Sequence, residues 1–82
     1  MNQMLESKVQ ARLIKRLESE GFYVIKLITT NKNGIPDLLV LKGDYYKFIE
    51  VKAKDGELSK LQKYRINELK DHNIRTEVFY GE

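Results

Sequence analysis

The stretch that decides the fold runs from Pro36 to Lys52 and reads PDLLVLKGDYYKFIEVK. Residues Asp37 to Leu41 form a short run that is apolar at both odd and even positions, which predicts a central strand buried on both faces. Gly43-Asp44 is a plausible two-residue hairpin turn. Tyr46 to Ala53 (YKFIEVKA) is rich in aromatic and β-branched residues and predicts the antiparallel return strand.

This hairpin is expected to bring two acidic side chains together. Counting back from the turn, Lys42 faces Tyr45, and the same register sets Asp37 opposite Glu50. Two neighbouring carboxylates repel and raise each other's pKa unless a cation lies between them. A divalent metal ion is the natural partner for such a pair.

Three charged residues of the hairpin break its apolar pattern, and each also has an ordinary explanation. Strand alternation puts Glu50 and Lys52 on the same face as Phe48. Taken alone, the two could be an ion pair on a solvated face. The dipeptide Pro36-Asp37 could simply mark a turn. The functional interpretation depends on their combination.

The elements on either side of the hairpin complete an α-β-β-β-α-β order, which predicts a mixed α/β (α+β) fold. The last strand is expected to lie parallel to an earlier one because a helix separates them. The predicted flanking elements are a helix from about Gln3 to Glu20, a strand from Phe22 to Ile28, a helix from Ser59 to about His72 and a strand from Arg75 to Tyr80. The apolar stripe of the first helix is Leu5, Val9, Leu13 and Leu17.

Two polar side chains on the helices could join the hairpin acids. Glu6 projects between Leu13 and Leu17 in the apolar stripe, although a glutamate in a fraying first turn also suits the helix dipole. Gln62 lies three residues after Ser59, which is a capping-box spacing. It also points to the apolar side of its helix, so capping and a role in the site are compatible.

The amino-acid composition excludes several kinds of metal site and several classes of protein. The 82 residues include no cysteine and one histidine, which excludes disulfides, thiolate zinc sites and multi-histidine sites. A bound metal would need oxygen ligands, as Mg²⁺ or Mn²⁺ does. No stretch is typical of a signal peptide or membrane span, so we expect a cytoplasmic protein with no membrane partner. So short a chain buries a small core, which favours a homodimer.

The motifs together resemble a known nuclease family. Pro36-Asp37 followed by Glu50-Val51-Lys52 resembles the PD-(D/E)xK nuclease signature. The form Gly34-x-Pro-Asp-Leu, together with Glu6 and Leu58-Ser59-x-x-Gln62, is similar to the VRR-NUC branch (virus-type replication-repair nucleases). The resemblance spans nearly the whole chain and implies one VRR-NUC nuclease domain over residues 1–82, with a restriction-endonuclease-like core.

The resemblance also implies roles for the matching residues. Asp37 and Glu50 would bind Mg²⁺ or Mn²⁺, with the backbone carbonyl of Val51 as a further ligand. Glu6 would complete the acidic cluster, directly or through water on the metal. Lys52 would orient the attacking water and stabilise charge on the phosphate. Gln62 would support Lys52 or that water.

The resemblance further implies DNA as the partner. Small free-standing members of this branch, mainly from phages and bacteria, are associated with homodimeric cleavage of four-way (Holliday) junctions, which suggests a repair role. Because lysines and arginines bind phosphates without reading bases, we expect structure-selective binding. The candidate DNA-binding residues are Lys8, Arg12, Lys15, Arg16, Lys32, Lys54, Lys60 and Lys63.

Two other functions compete with this interpretation. The chain could be a non-catalytic DNA-binding or protein-interaction module with a nuclease-like fold. The intact Asp37, Glu50 and Lys52 argue against that, because a binding module needs no buried acidic cluster. A restriction-type enzyme with base specificity is disfavoured because the chain has no insertion to read a groove.

Overall fold

A computed structural model describes residues 4–81, which form two helices and a four-stranded sheet. The elements follow the predicted α-β-β-β-α-β order. Strands β1 and β2 and strands β2 and β3 pair antiparallel, whereas β3 and β4 pair parallel. The mixed α/β prediction is therefore confirmed. The elements are α1 (Glu6–Ser19), β1 (Tyr23–Lys26), β2 (Leu38–Lys42), β3 (Tyr45–Lys52), α2 (Lys60–Asp71) and β4 (Thr76–Tyr80).

Helix α1 covers one face of the sheet and begins later than its sequence pattern indicates. Its predicted start at Gln3 lies outside the described residues. Leu5 is the N-cap in an extended conformation and is 67% exposed, so its assignment to the apolar stripe is wrong. A residue before the first turn does not follow the helical period, and its side chain is free to point outward. The rest of the stripe is buried as predicted: Val9, Leu13 and Leu17.

The core lies between α1 and the central hairpin. Leu38 and Val40 of β2 pack with Ile49 and Val51 of β3 against the buried stripe of α1. Burying one such aliphatic side chain is worth about 1.5–3 kcal/mol. These side chains supply the main apolar stabilisation, and they hold β2 and β3 in a fixed position beneath α1.

The opposite face of β2 is only partly covered, so the prediction of burial on both faces holds for one face. Leu38 and Val40 are fully buried, but Leu39 and Leu41 retain partial exposure. Apolar periodicity in β2 therefore marked a buried strand without showing how completely its second face is covered.

The hairpin register agrees with the count made from the turn. Lys42 pairs with Tyr45 and Leu38 pairs with Ile49. Asp37 immediately precedes Leu38, so continuation of this register sets Asp37 beside Glu50. The turn at Gly43-Asp44 thereby brings the beginning of one strand next to the end of the other.

Helix α2 begins with the capping box that the sequence predicts. The Ser59 side chain accepts from the Gln62 amide at 3.1 Å, and the Gln62 side chain accepts from the Ser59 amide at 2.9 Å. The helix ends at Asp71, and Asn73 has the predicted left-handed conformation with φ 61°. The cap fixes the orientation of Gln62 at the first turn of the helix.

The segment after β4 closes against both β3 and α1. The Gly81 amide donates to the carbonyl of Lys52 at 2.8 Å. A Cβ at position 81 would lie 2.5 Å from a methyl group of Val9, so the close contact with α1 requires glycine. Within residues 4–81, no helix is long and apolar enough to cross a membrane.

Candidate active site

The site lies where β2 begins and β3 ends, and its centre is the pair Asp37 and Glu50. Glu50 has 1% relative exposure in β3, and a hydrogen bond links its carboxyl group to that of Asp37. The hairpin register produces this contact, as the sequence predicts. A buried acid in contact with a second, half-buried acid is an arrangement that ordinary packing does not need.

The pKa of Glu50 is raised to about 8, chiefly by burial and next by the hydrogen bond and negative charge of Asp37. The charge of Glu6 acts in the same direction, whereas the charge of Lys52 lowers the pKa. In the metal-free protein the Glu50 carboxyl therefore holds a proton at neutral pH. Strongly shifted acids in such a position are typical of functional sites.

Asp37 is held in place by the backbone of the neighbouring strand. Its Oδ2 atom accepts a hydrogen bond from the Val51 amide at 2.9 Å, and its own carbonyl accepts from the Leu27 amide at 2.8 Å. The sequence singled out the carbonyl of Val51 as a metal ligand and missed this role of its amide. The predicted register contained the signal, because it places Asp37 within one residue of Val51.

Gln62 joins the site through Glu50. Its side-chain nitrogen donates to Glu50 Oε2 at 3.3 Å, while its side-chain oxygen closes the cap at Ser59. The geometry therefore combines the predicted cap with a contact to the site, while a role of Gln62 in catalysis stays a prediction. Its amide contacts the acid and not Lys52, so its support of the site passes through Glu50.

Lys52 is the second buried charged residue among residues 4–81, with 8% relative exposure. Its Nζ lies 4.0 Å from the carboxylate of Glu6, whose side chain is 48% exposed at the first turn of α1. Glu6 thus reaches Lys52 from a different element, and its predicted place in the acidic cluster stays a prediction. The pair holds the Lys52 ammonium group near the acids.

The donor set fits a hard divalent cation. Asp37 and Glu50 present carboxylate oxygens side by side, and ionising both without a cation is unfavourable, as the raised pKa of Glu50 indicates. No group of three histidine, cysteine or acidic side chains within residues 4–81 is placed to hold one ion. Asp37 and Glu50 are the side chains that would hold it, and participation of Glu6 or the Val51 carbonyl stays a prediction.

The predicted DNA-binding residues are all exposed, and they lie on several different elements and loops. Arg12, Lys15 and Arg16 border a cavity of about 580 Å³ between α1 and β4, and the Arg16 guanidinium lies 5.3 Å from the centre of the Phe79 ring. Lys32 lies elsewhere, in the loop that precedes Asp37. The remaining exposed candidates are Lys8, Lys54, Lys60 and Lys63.

Sequence reasoning missed Arg65, which ties α2 to the loop before Asp37. Its Nε donates to the carbonyl of Asn33 at 2.8 Å, and its guanidinium also binds Glu68 at 2.8 Å. A Cβ on Gly34 would lie 2.7 Å from the side chain of Leu61, so the loop packs tightly on the helix. The spacing of Arg65 three residues after Gln62 was the available signal, because residues at that spacing share one helix face.

The comparisons with known proteins agree with these motifs. The family model described as the VRR-NUC domain matches residues 2–82, which is nearly the whole chain. No curated protein matches the chain significantly.

Proposed function

We propose that this chain, which belongs to the VRR-NUC domain family, is a metal-dependent endonuclease that hydrolyses the phosphodiester backbone of branched DNA. VRR-NUC domains are nuclease domains, so membership by itself implies a DNA-processing function of the nuclease type. Nucleases of this kind usually use divalent metals. The metal identity, the branched substrate and the dimeric state are parts of the proposal.

The observation that carries the proposal is the buried contact between Asp37 and Glu50, with Lys52 beside it. Leaving two acids together in an apolar setting costs stability, as the pKa of about 8 for Glu50 reflects. A structural ion pair would place opposite charges together instead. The arrangement becomes favourable once a divalent cation compensates both acids.

Each side chain then has a defined task. Asp37, fixed by the Val51 amide, and Glu50, contacted by Gln62, would hold Mg²⁺ or Mn²⁺. Such an ion polarises a phosphoryl oxygen and makes water a better nucleophile at neutral pH. Lys52 places a positive charge where negative charge develops on the phosphate and orients the attacking water. Glu6 positions Lys52, because its carboxylate lies 4.0 Å from the ammonium group of Lys52.

The substrate is proposed to be a four-way junction cut by a homodimer. A two-fold dimer would present two active sites to a substrate of nearly two-fold symmetry. The exposed lysines and arginines would bind phosphates, which selects DNA by shape and not by base sequence. The decisive measurement for this part is a competition between a junction and a linear duplex, with the mass of the protein in solution determined alongside it. Equal affinity for both DNAs would exclude junction preference, and a monomeric mass would exclude the dimer.

The enzymatic activity is tested with labelled junctions. Wild-type protein with Mg²⁺ or Mn²⁺ is expected to produce nicked or resolved strands, and Asp37→Ala is expected to produce none. Circular dichroism of both proteins checks that the variant folds. If the wild type binds junctions but cuts none, the chain is a binding module with a nuclease-like fold. If both proteins cut equally, the cutting does not come from the proposed site and the nuclease proposal fails.

A further inference from the structure

Ile28 follows β1 and is exposed in an unusual place. It has 82% relative exposure, the highest among the large hydrophobic side chains of residues 4–81. It borders a mostly polar cavity of about 310 Å³ that also includes Asp37. An isolated exposed isoleucine is ordinary. Ile28, however, lies at the edge of a cavity that also contains Asp37, so a substrate bound at Asp37 would lie close to it.

The cavity has the chemistry of a site for a sugar–phosphate unit. Besides Asp37 it is lined by the hydroxyl-bearing Thr29 and Thr30, by the amide-bearing Asn33 and by the cationic Lys32. Its volume is at the lower end of the roughly 300–1,000 Å³ that is typical of small-ligand pockets. The cavity is therefore large enough for a single nucleotide and too small for a segment of duplex DNA.

The loop that forms the cavity is held at several points. The Leu27 amide donates to the Asp37 carbonyl at 2.8 Å, and the Thr30 hydroxyl donates to the Lys32 carbonyl at 2.6 Å. Arg65 holds the Asn33 carbonyl from α2. Because these bonds fix the loop before substrate arrives, Ile28 and Lys32 have set positions relative to Asp37.

We infer that the loop of residues 27–35 binds the nucleotide next to the cleaved phosphodiester, with Ile28 packed against an unstacked base and Lys32 at its phosphate. In continuous duplex the bases stack on one another and offer no free apolar face. At a branch, flap or nick a base face is uncovered, and an apolar side chain can insert there. This inference rests on the proposed nuclease function and adds the feature of DNA that the site selects.

The first test measures base unstacking without cleavage. A branched duplex carries the fluorescent base 2-aminopurine at the branch, and protein is added with a chelator present. Fluorescence is expected to rise with wild type and with Ile28→Val, and the rise is expected to be at least about twofold smaller with Ile28→Ser. Tyr23→Ser is the matched control, because Tyr23 is 70% exposed at the far end of β1 and should behave as wild type.

The second test measures selectivity during cleavage. The ratio of kcat/KM for branched DNA to kcat/KM for continuous duplex is expected to fall roughly tenfold in Ile28→Ser and to stay unchanged in Ile28→Val and Tyr23→Ser. An unchanged ratio and an unchanged fluorescence rise in Ile28→Ser would overturn the inference. So would loss of self-association in Ile28→Ser with both DNA readouts intact, since Ile28 would then be a contact between protein copies.

The two tests separate this inference from the nuclease proposal. If wild type cuts no DNA but the fluorescence rise depends on Ile28, the nuclease proposal fails and the role of the loop stands. If wild type cuts branched DNA and Ile28→Ser changes neither readout, the nuclease proposal stands and the role of the loop fails.

Discussion

Strand β3 carries charged residues near both of its ends, and their neighbours differ in the sign of their charge. Near the hairpin turn, Lys47 forms an ion pair with Glu77 of β4. Burial lowers the pKa of Lys47, but the hydrogen bond and charge of Glu77 outweigh it and raise the pKa above its ordinary value. At the other end, burial and the adjacent Asp37 raise the pKa of Glu50 to about 8.

Lys47 lies beside an opposite charge of the protein itself. The ionised form of Glu50 lies beside the like charge of Asp37, and a bound cation would compensate both acids. Lys47 has an opposite charge beside it and keeps its ordinary ionic form. Glu50 has a like charge beside it and loses its ordinary ionic form. Burying an acid beside a second acid costs stability, so the retention of Glu50 beside Asp37 at one end of β3 indicates a function at that end.

The strongest test of the comparison removes one acid from each end. Glu50→Gln is expected to lower the rate of DNA cleavage by at least about 10³-fold, because the divalent ion loses a carboxylate ligand. Glu77→Gln is the control at the other end and should leave cleavage unchanged. Single-turnover cleavage of a labelled junction measures both, and comparable losses in the two variants would contradict the distinction.

Replacing the two lysines of β3 is the next test. Lys52→Met is expected to reduce cleavage by about 10²- to 10³-fold, since charge that develops on the phosphate is no longer compensated. Lys47→Met should not change cleavage. Calorimetry should show that Lys52→Met still binds the metal, because both acids remain. A loss of metal binding in this variant would show that Lys52 organises the acids instead of acting on the phosphate.

The pH dependence of stability offers a third test, made without metal. Because the pKa of Glu50 is raised from 4.5 to about 8, its contribution to stability is full below pH 4.5 and is lost as pH rises through about 8. Chemical denaturation of wild type is expected to show this decline between about pH 5 and about pH 9, and Glu50→Gln should flatten it. The raised pKa of Lys47 acts above its ordinary value of 10.5 and so lies outside this window.

The smallest expected effect separates the capping role of Gln62 from its contact with Glu50. Ser59→Ala removes the cap alone and should lower the free energy of unfolding by about 0.5–2 kcal/mol. Gln62→Ala should cost a similar amount of stability and reduce cleavage about tenfold, the lower end of the losses seen for partners of metal ligands. If Ser59→Ala reduces cleavage as much as Gln62→Ala, the contact with Glu50 has no separate role.

The sequence predicted the elements and the central pair because both depend on local periodicity. The two-residue turn set the hairpin register, and the register alone brought Asp37 and Glu50 together. The capping box of Ser59 and Gln62 was equally visible, since its bonds join residues three apart. Contacts that follow from a fixed spacing can be counted from the chain itself.

Long-range packing was harder to predict. The sequence pattern of Leu39 and Leu41 did not show that both side chains would stay partly exposed. The contact between Arg65 and Asn33 joins residues 32 apart. The helical spacing of Arg65 from Gln62 indicated the face of α2 on which Arg65 lies, but it did not indicate this partner. Leu5 matched the helical period but lies just before α1, where it is the N-cap in an extended conformation.

The glycine at position 81 makes the site vulnerable to changes that touch none of its reacting groups. Its amide is bonded to the carbonyl of Lys52, and an added methyl would strike Val9, one turn along the helix from Glu6. Any larger residue there requires Val9 or the backbone at position 81 to shift, which disturbs the contact between the beginning of α1 and the end of β3. A survey of tolerated mutations would accordingly find position 81 as restricted as a catalytic residue, although its own chemistry is inert.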